Sequence, residues 1–171
     1  MYRIGVRISS QGIEKNQITD VPGVRVGHKT VDGDGVHTGV TVILPGPDNP
    51  FTHKRTAASF VLNGYGKTLG LVQVDELGTI EPPIALTNTL NVGKVHDAVV
   101  SWMIRRCRED GIRLTSVNPV VCECNDSSLS DIARRPVGEE EVEEAIRLAS
   151  DVFERRRAAG KTQRKGKRHD L

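Results

Sequence analysis

The 171-residue chain is poor in aromatic residues and has no long apolar run. Phe, Trp and Tyr together make up 4% of the residues, so we expect a core of aliphatic side chains. No segment approaches the roughly 20 consecutive apolar residues of a membrane-spanning helix. The N-terminal residues Met1-Tyr2-Arg3-Ile4-Gly5 also lack the apolar stretch of a signal peptide. These absences predict one globular domain in the cytoplasm, without a membrane as partner.

Cysteine is also scarce, because the chain has three, and this excludes a disulfide-rich secreted scaffold. Cys122 and Cys124 lie two positions apart in a predicted strand, so both thiols point to the same side, where Cys107 or a histidine can complete a zinc site. Their spacing differs from the usual Cys-x-x-Cys pair, however, and buried cysteines more often serve as small apolar side chains. We therefore expect reduced thiols and no bound metal.

Positive charge is concentrated at the C-terminal end of the chain. Residues 155 to 168 contain eight Lys or Arg and no acid, and subtracting these eight charges from the net charge of +2 leaves −6 for the rest. Such a segment buries too little apolar area to offset the entropy of ordering. The sequence thus divides into a folded part, residues 1–157, and a basic, disordered tail, residues 158–171. The tail can attract polyanions, but it lacks aromatic residues that stack on bases, so nucleic acid is not the expected partner.

Alternating apolar residues, turn chemistry and helical spacing predict a layered α/β or α+β fold. The strand patterns comprise residues 21–28, 39–44, 57–62, 83–87 and 117–124. A helix is predicted from about residue 92 to 110, because apolar residues recur there at three- and four-residue spacings after Asn91, a suitable N-cap. A second helix is predicted at 139–157, with acids in its first turn and arginines in its last, as the helix dipole favours.

The sequence contains parts of motifs with known chemistry, but none of these motifs is complete. Gly66-Lys67-Thr68 matches the end of a phosphate-binding loop, but Val61 occupies the position where that motif needs a glycine. Four histidines lie outside any nucleophile elbow or His-Glu-x-x-His helix, so we expect surface or strand-end positions for His28, His37, His53 and His96.

Polar residues at the ends of the predicted strands remain as candidates for a site: Asn63, Asn88, Asn91, Glu123, Asn125 and Asp126. Functional sites of layered α/β proteins form at such strand ends. Asparagine and aspartate also cap turns and helices at the same places, so both interpretations stay open for each residue.

Several sequence segments resemble the DmpA-like L-aminopeptidase/D-esterase family in residue identity, order and spacing. The longest is Asn16-Gln17-Ile18-Thr19-Asp20-Val21-Pro22-Gly23-Val24-Arg25-Val26-Gly27-His28. The others are Thr38-Gly39-Val40-Thr41, Asn63-Gly64-Tyr65-Gly66-Lys67, Leu86-Thr87-Asn88-Thr89, Pro119-Val120-Val121, Glu123-Cys124-Asn125-Asp126 and Leu129-Ser130-Asp131-Ile132. The resemblance extends from about Gly12 to Ser150.

The resemblance implies a partial αββα sandwich with a mixed β-sheet and flanking helices. Members of this family cleave their own backbone to free a serine or threonine nucleophile, use no metal or organic cofactor, and remove N-terminal residues from small peptides, amides or esters. By the same resemblance, Glu123 matches the glutamate suited to bind the free ammonium of the substrate, and Asn88 can line the pocket. Asn125 stands where some active relatives carry a tyrosine, so its amide is the candidate oxyanion donor in catalysis.

The sequence departs from the family after about Arg155. The glycine-rich Glu-Gly-x-Val-Gly segment and the self-cleavage point that follow in the family are replaced by the basic tail. Without a nucleophile, the pocket should bind a substrate and not turn it over. The first hypothesis is therefore the α part of an aminopeptidase that acts as a homo-oligomer or with a separate β chain. The alternatives are a non-catalytic truncated remnant and a binding module whose tail contacts an acidic partner.

Overall fold

The computed structural model describes residues 17–151. In chain order, the strands are β1 (Arg25–Gly33), β2 (Val36–Leu44), β3 (Arg55–Thr56), β4 (Thr79–Ile80), β5 (Ile84–Asn88) and β6 (Val120–Cys124), and the helices are α1 (Leu71–Leu77), α2 (Val92–Glu109) and α3 (Glu139–Arg147). Short 3-10 turns comprise Ile18–Asp20, Thr89–Asn91 and Ile132–Arg134.

The first two strands form a hairpin with a two-residue loop. They pair antiparallel along their whole length, from Arg25 opposite Leu44 to Gly33 opposite Val36. The loop residues between them have positive φ angles, 50° at Asp34 and 77° at Gly35. Glycine adopts such angles without steric cost and aspartate tolerates them, which explains why this dipeptide favours a tight hairpin.

Four strands form a mixed sheet with the order β1-β2-β5-β6. Strand β5 is antiparallel to β2, whereas β6 is parallel to β5. A parallel pair needs a crossover connection, and α2 provides it between β5 and β6. The expectation of a mixed sheet with flanking helices is confirmed.

The two longer helices, α2 and α3, pack on one face of the sheet and form the main core there. Val42, Ala85 and Val121 lie side by side on three neighbouring strands, and all three are fully buried. The helices cover this row with buried side chains of their own, namely Val95, Val99, Met103, Val142 and Ala145. Burying an aliphatic side chain of this size contributes about 1.5–3 kcal/mol.

The opposite face of the sheet is only partly covered. Helix α1 and the β3–β4 pair contribute Val74 and Ile80, which pack on Val120 and Cys122. The same region exposes large apolar side chains to solvent: Phe60, Val61, Leu62, Tyr65, Leu69, Val72 and Leu77. We call this the 60–77 apolar surface. Exposed apolar side chains of this kind are candidates for burial against another surface.

The prediction of a strand at residues 57–62 is wrong, because these residues belong to no strand in the structure. Only Arg55 and Thr56 pair there, with Ile80 and Thr79. Phe60, which follows them, is 74% exposed. High β-propensity is insufficient for a strand, since the backbone donors and acceptors also need a neighbouring strand to bind.

Strand β1 begins at Arg25, later than the sequence pattern suggests. Pro22 and Gly23 form a turn that is closed by a hydrogen bond from Val24 N to Val21 O at 3.1 Å. Gly23 has a φ of 85°, which glycine adopts readily. A Pro-Gly turn thus precedes the strand and displaces its start.

Helix α3 ends at Arg147, and Ser150 then pairs with Val26 of β1. The expected helix continued to residue 157, but residues 152–157 and the predicted disordered tail, 158–171, lie outside the described residues. Among the described helices, none has the length and apolar character needed to cross a membrane.

Candidate active site

The parallel pairing of β5 and β6 brings three predicted site residues to one edge of the sheet. Asn88 lies opposite Cys124, so the two strands end at the same level, and Glu123 is one position before that end. Asn125 follows β6 directly. The carboxyl ends of neighbouring parallel strands are a common place for sites in layered α/β folds.

The carboxylate of Glu123 is held by two donors from distant parts of the chain. The backbone N–H of Lys67 donates to Oε1 at 3.1 Å, and the hydroxyl of Thr89 donates to Oε2. Two backbone bonds between Leu69 and Val121, at 3.0 and 3.2 Å, hold the segment that carries Lys67 against β6. Hydrogen bonds to an ionised acceptor are roughly twice as strong as neutral ones. These two bonds fix the position of the carboxylate. Because Glu123 is half-buried, the carboxylate is still partly accessible to solvent.

Asn88 is a buried polar residue whose amide has internal partners. Its side chain is 2% exposed. Its Oδ1 accepts from the backbone N of Asn91 at 3.1 Å, and its Nδ2 donates to Thr38 Oγ1 at 3.0 Å. Asn88 therefore caps the turn that carries Thr89, and so supports the hydroxyl that binds Glu123.

Asn125 and Asp126 differ in exposure although they are adjacent. Asn125 is exposed, and its Oδ1 accepts from the backbone N of Ser127 at 2.9 Å, which forms a local turn. Asp126 Oδ1 is buried and receives no hydrogen bond from residues 17–151. A buried acceptor without a donor costs about 1–3 kcal/mol.

The loop before Leu69 brings Tyr65 and Lys67 to this edge, and the sequence analysis listed neither as a candidate for the site. Asn63 Oδ1 accepts from Tyr65 N at 2.9 Å and shapes the loop. The Lys67 ammonium lies 4.8 Å from the centre of the Tyr65 ring. The Asn63-Gly64-Tyr65-Gly66-Lys67 string is the available sequence signal, but the contact from Lys67 to Glu123 joins residues 56 positions apart. Residue types give no indication of such a pairing.

Within residues 17–151, no group of three or more His, Cys, Asp or Glu side chains is arranged to hold a metal ion. Cys107 packs in the core on the helix side of the sheet, whereas Cys122 lies in the cluster on the opposite face, so the two cannot bind one ion. Burial raises the pKa of the Cys122 thiol, which disfavours the thiolate form that binds metals and attacks electrophiles. Cys124 is exposed.

The four histidines among residues 17–151 lie outside this group of residues. His28 is within β1 rather than at its end, and its Nδ1 is 2.8 Å from Thr41 Oγ1 on β2. His28 is half-buried, and β1 continues beyond the residues of the predicted strand. His37 and His53 are exposed, and His96 is half-buried on α2.

Sequence comparisons point to one group of peptidases. The profile of Peptidase family S58 matches residues 16–164. The β-peptidyl aminopeptidase BapA of Sphingosinicella xenopeptidilytica is 40% identical over 126 residues, which cover 68% of this chain and 31% of that protein.

Solved structures agree with this similarity. The PH0078 protein from Pyrococcus horikoshii OT3 has a TM-score of 0.76 and 45% identity, with 90% of this chain and 45% of that chain covered. The L-aminopeptidase D-Ala-esterase/amidase from Ochrobactrum anthropi, a prototype of the serine aminopeptidases with a variant of the Ntn hydrolase fold, has a TM-score of 0.70 and 30% identity, with 80% and 40% covered. The chain thus spans less than half the length of each relative.

Proposed function

The chain belongs to peptidase family S58, and from that premise we propose that it is the α part of an aminopeptidase. The proposed reaction removes N-terminal residues from small peptides, amides or esters. Similarity to a β-peptidyl aminopeptidase and to an L-aminopeptidase supports this class of substrate. The observation that carries the proposal is the carboxylate of Glu123, which Thr89 and Lys67 hold at the edge of the sheet.

Glu123 is the proposed binding group for the substrate's ammonium. An aminopeptidase must distinguish a free N-terminal ammonium from an internal amide, and a fixed carboxylate does so by charge and hydrogen bonding. Each oxygen of Glu123 already has one donor, which leaves further lone pairs for a ligand. Because these donors are in place beforehand, ligand binding needs little reorganisation. Asn88 is the second residue proposed for the substrate-binding site. Since it is 2% exposed and bonded internally, its proposed role is to hold the turn that carries Thr89.

Asn125 is the proposed catalytic residue. Its Oδ1 is engaged with the backbone N–H of Ser127, which orients the carboxamide. The Nδ2 group of the same carboxamide is a hydrogen-bond donor. A donor held beside the scissile carbonyl stabilises the oxyanion that develops in acyl transfer.

We propose that further polypeptide supplies the nucleophile, as a serine or threonine freed by self-cleavage in a β chain or another subunit. The 60–77 apolar surface and the unpaired Oδ1 of Asp126 support such a contact, because both suit burial against further polypeptide. The proposal includes no metal or organic cofactor. It places the protein in the cytoplasm, where three unpaired cysteines stay reduced.

Calorimetric titration of the 171-residue chain tests the role of Glu123. We expect L-phenylalaninamide to bind and N-acetyl-L-phenylalaninamide not to bind, because acetylation removes the positive charge. Glu123→Gln should weaken binding of the amine by about tenfold or more, since a hydrogen bond to a charged group contributes about 1.5–3 kcal/mol. Glu109→Gln, at the exposed end of α2, is the matched control and should bind like the wild type. Equal binding of both ligands by the wild type would count against the proposal.

A hydrolysis assay tests the origin of the nucleophile. The purified chain should not release p-nitroaniline from L-alanine p-nitroanilide, and its intact mass should show no self-cleavage. Turnover by the chain would refute the external nucleophile. Absence of both ligand binding and turnover would instead favour the non-catalytic remnant.

A further inference from the structure

The loop after β6, residues 125–131, carries Asn125 and is closed by its own hydrogen bonds. Asn125 Oδ1 accepts from the backbone N of Ser127 at 2.9 Å. The carbonyl oxygen of Asp126, the next residue, accepts from the backbone N of Ser130 at 3.0 Å. These bonds make the loop one compact turn, so a displacement of Ser130 also displaces Asn125.

Strand β2 extends beyond the part of it that pairs with β5. Residues 41–43 form that pairing, and in the described part of the chain no strand continues it alongside the earlier residues of β2. Two hydroxyl groups bind backbone groups of β2 there instead. Thr87 Oγ1 donates to the carbonyl oxygen of Gly39 at 3.2 Å, and the backbone N of His37 donates to Ser130 Oγ at 2.7 Å. Side chains thus satisfy backbone groups that a longer β5 would otherwise bind.

Ser130 is the buried anchor of the 125–131 loop on β2. The residue is 8% exposed, so its bond to His37 faces little competition from water. The backbone N of Asp131 adds a bond to the carbonyl oxygen of Gly35 at 2.9 Å. That second bond lies at the exposed hairpin turn. The loop is therefore attached to the sheet at the end of β6 on one side and through Ser130 and Asp131 on the other.

The proposed role of Asn125 requires such an anchor. A donor stabilises an oxyanion best when it is in place before the reaction, and a misplacement of about 1 Å can cost about a hundredfold in rate. The bond from Ser127 orients the carboxamide within the turn but does not fix the turn relative to the sheet. We infer that Ser130 is a positioning residue for Asn125, because its buried hydroxyl holds the loop against β2 and so places the carboxamide beside the scissile carbonyl. This inference rests on the proposed function.

The test uses two ligands that differ in the geometry of their anionic group. The phosphinic acid analogue of L-phenylalanine carries its negative charge on tetrahedral oxygens, as the intermediate of acyl transfer does, whereas L-phenylalanine carries it on a planar carboxylate. Both have the same ammonium, side chain and net charge. The ratio of their affinities for the 171-residue chain, measured by calorimetry, therefore reports the oxyanion contact. A general loss of stability would weaken both ligands equally and leave this ratio unchanged.

We expect the wild type to bind the phosphinic acid about tenfold more tightly than L-phenylalanine, as a hydrogen bond to a charged group allows. Asn125→Ala and Ser130→Ala should both reduce this preference to within about twofold. Ser130→Thr keeps the hydroxyl and should retain the preference. Ser128→Ala is the matched control, because it removes an exposed serine hydroxyl from the same loop, and it should behave like the wild type.

The variants separate the inference from the proposed function. If Asn125→Ala loses the preference and Ser130→Ala keeps it, Ser130 does not position Asn125, and the proposed role of Asn125 stands. If the wild type shows no preference, or Asn125→Ala keeps it, the proposed role of Asn125 fails together with the inference.

Hydrogen exchange of the wild type tests the anchor even if Ser130→Ala fails to fold. The backbone amide of His37 should exchange at least about tenfold more slowly than that of the exposed Ser128, because its hydrogen is bound to a buried hydroxyl. Equal exchange rates at the two amides would overturn the inference.

Discussion

Thr89 donates its hydroxyl hydrogen to Oε2 of Glu123. The two residues are 34 positions apart, and the parallel pairing of β5 with β6 brings them together. Thr89 is buried, so its hydroxyl is shielded from bulk water, whereas the carboxylate of Glu123 is partly accessible. The bond therefore couples the packing of the turn after β5 to the position of the carboxylate in the proposed site.

Removing this hydroxyl should destabilise the fold. Thr89→Val keeps the shape of the side chain but leaves Glu123 Oε2 without its donor, so we expect the free energy of unfolding to fall by about 1–3 kcal/mol. Urea denaturation followed by circular dichroism measures the change. Thr89→Ser keeps the hydroxyl, so its free energy of unfolding should fall by less than that of Thr89→Val. If the valine and serine variants are equally stable, the hydroxyl bond does not contribute as described.

Gly27 permits the close approach of α3 to β1. A Cβ atom at position 27 would lie 1.8 Å from the carbonyl oxygen of Ala145. Relieving that clash requires a shift of the helix backbone, so Gly27→Ala should lower the free energy of unfolding by about 1–3 kcal/mol or more. Gly93→Ala, in α2, is the matched control, because an added Cβ there has no atom within 4 Å. Alanine is favoured over glycine in a helix by about 0.5–1 kcal/mol, so the control should be neutral or more stable. The measurement is urea denaturation followed by circular dichroism. Equal denaturation midpoints for Gly27→Ala and Gly93→Ala would contradict the close packing of α3 on β1.

The three cysteines should differ in reactivity. Cys124 is exposed, whereas Cys107 and Cys122 are buried and burial raises the pKa of the Cys122 thiol. Since the thiolate is the reacting form, one equivalent of Ellman's reagent should react rapidly with the folded chain and two more only after unfolding. Cys124→Ser should abolish the rapid phase. Persistence of that phase in Cys124→Ser would show that a buried thiol is accessible.

Asp110 should depend on Asn49 for its low pKa. A hydrogen bond from Asn49 Nδ2, at 2.8 Å, is the main cause that lowers the pKa of Asp110, and Arg106 contributes as well. A lowered folded-state pKa contributes stability above the pKa of the unfolded state, and this contribution is lost as the pH falls through the folded-state value. Asn49→Ser should therefore raise the Asp110 pKa towards its ordinary value in a carboxyl-detected NMR titration. Arg113→Gln should leave it unchanged. An unaltered Asp110 pKa in Asn49→Ser would contradict the assigned cause.

Local sequence patterns predicted those parts of the fold that local interactions determine. The spacing of apolar residues gave the position of α2 almost to the residue, because one face of that helix is buried along its length. The hairpin between β1 and β2 also depends on local chemistry, since Asp34 and Gly35 adopt the angles that its tight turn requires. The segment around Phe60 is apolar but has no strand beside it in the described part of the chain, so its pattern predicted a strand that does not form. Helix α1 was not predicted, because its seven residues are too few to show a helical spacing of apolar residues.

For the candidate site, the sequence predicted which strand ends come together but not the contacts between their side chains. Strand ends rich in Asn, Asp and Glu indicated the edge where Asn88, Glu123 and Asn125 lie. The donors to Glu123 come from residues 34 and 56 positions away, and only the completed sheet brings them near. Long-range pairing of this kind depends on the register of whole strands, which no short segment encodes.

The most direct test of the central claim is the NMR signal of the Glu123 side-chain carboxyl in a chain labelled with ¹³C at glutamate. The signal is assigned by its absence in Glu123→Gln. Titration with L-leucyl-L-alanine should shift this signal in a saturable way, while the same concentration of N-acetyl-L-leucyl-L-alanine should leave it in place. A Glu123 signal that does not respond to the free amine, or responds equally to both ligands, would contradict the assignment of Glu123 as the ammonium-binding residue.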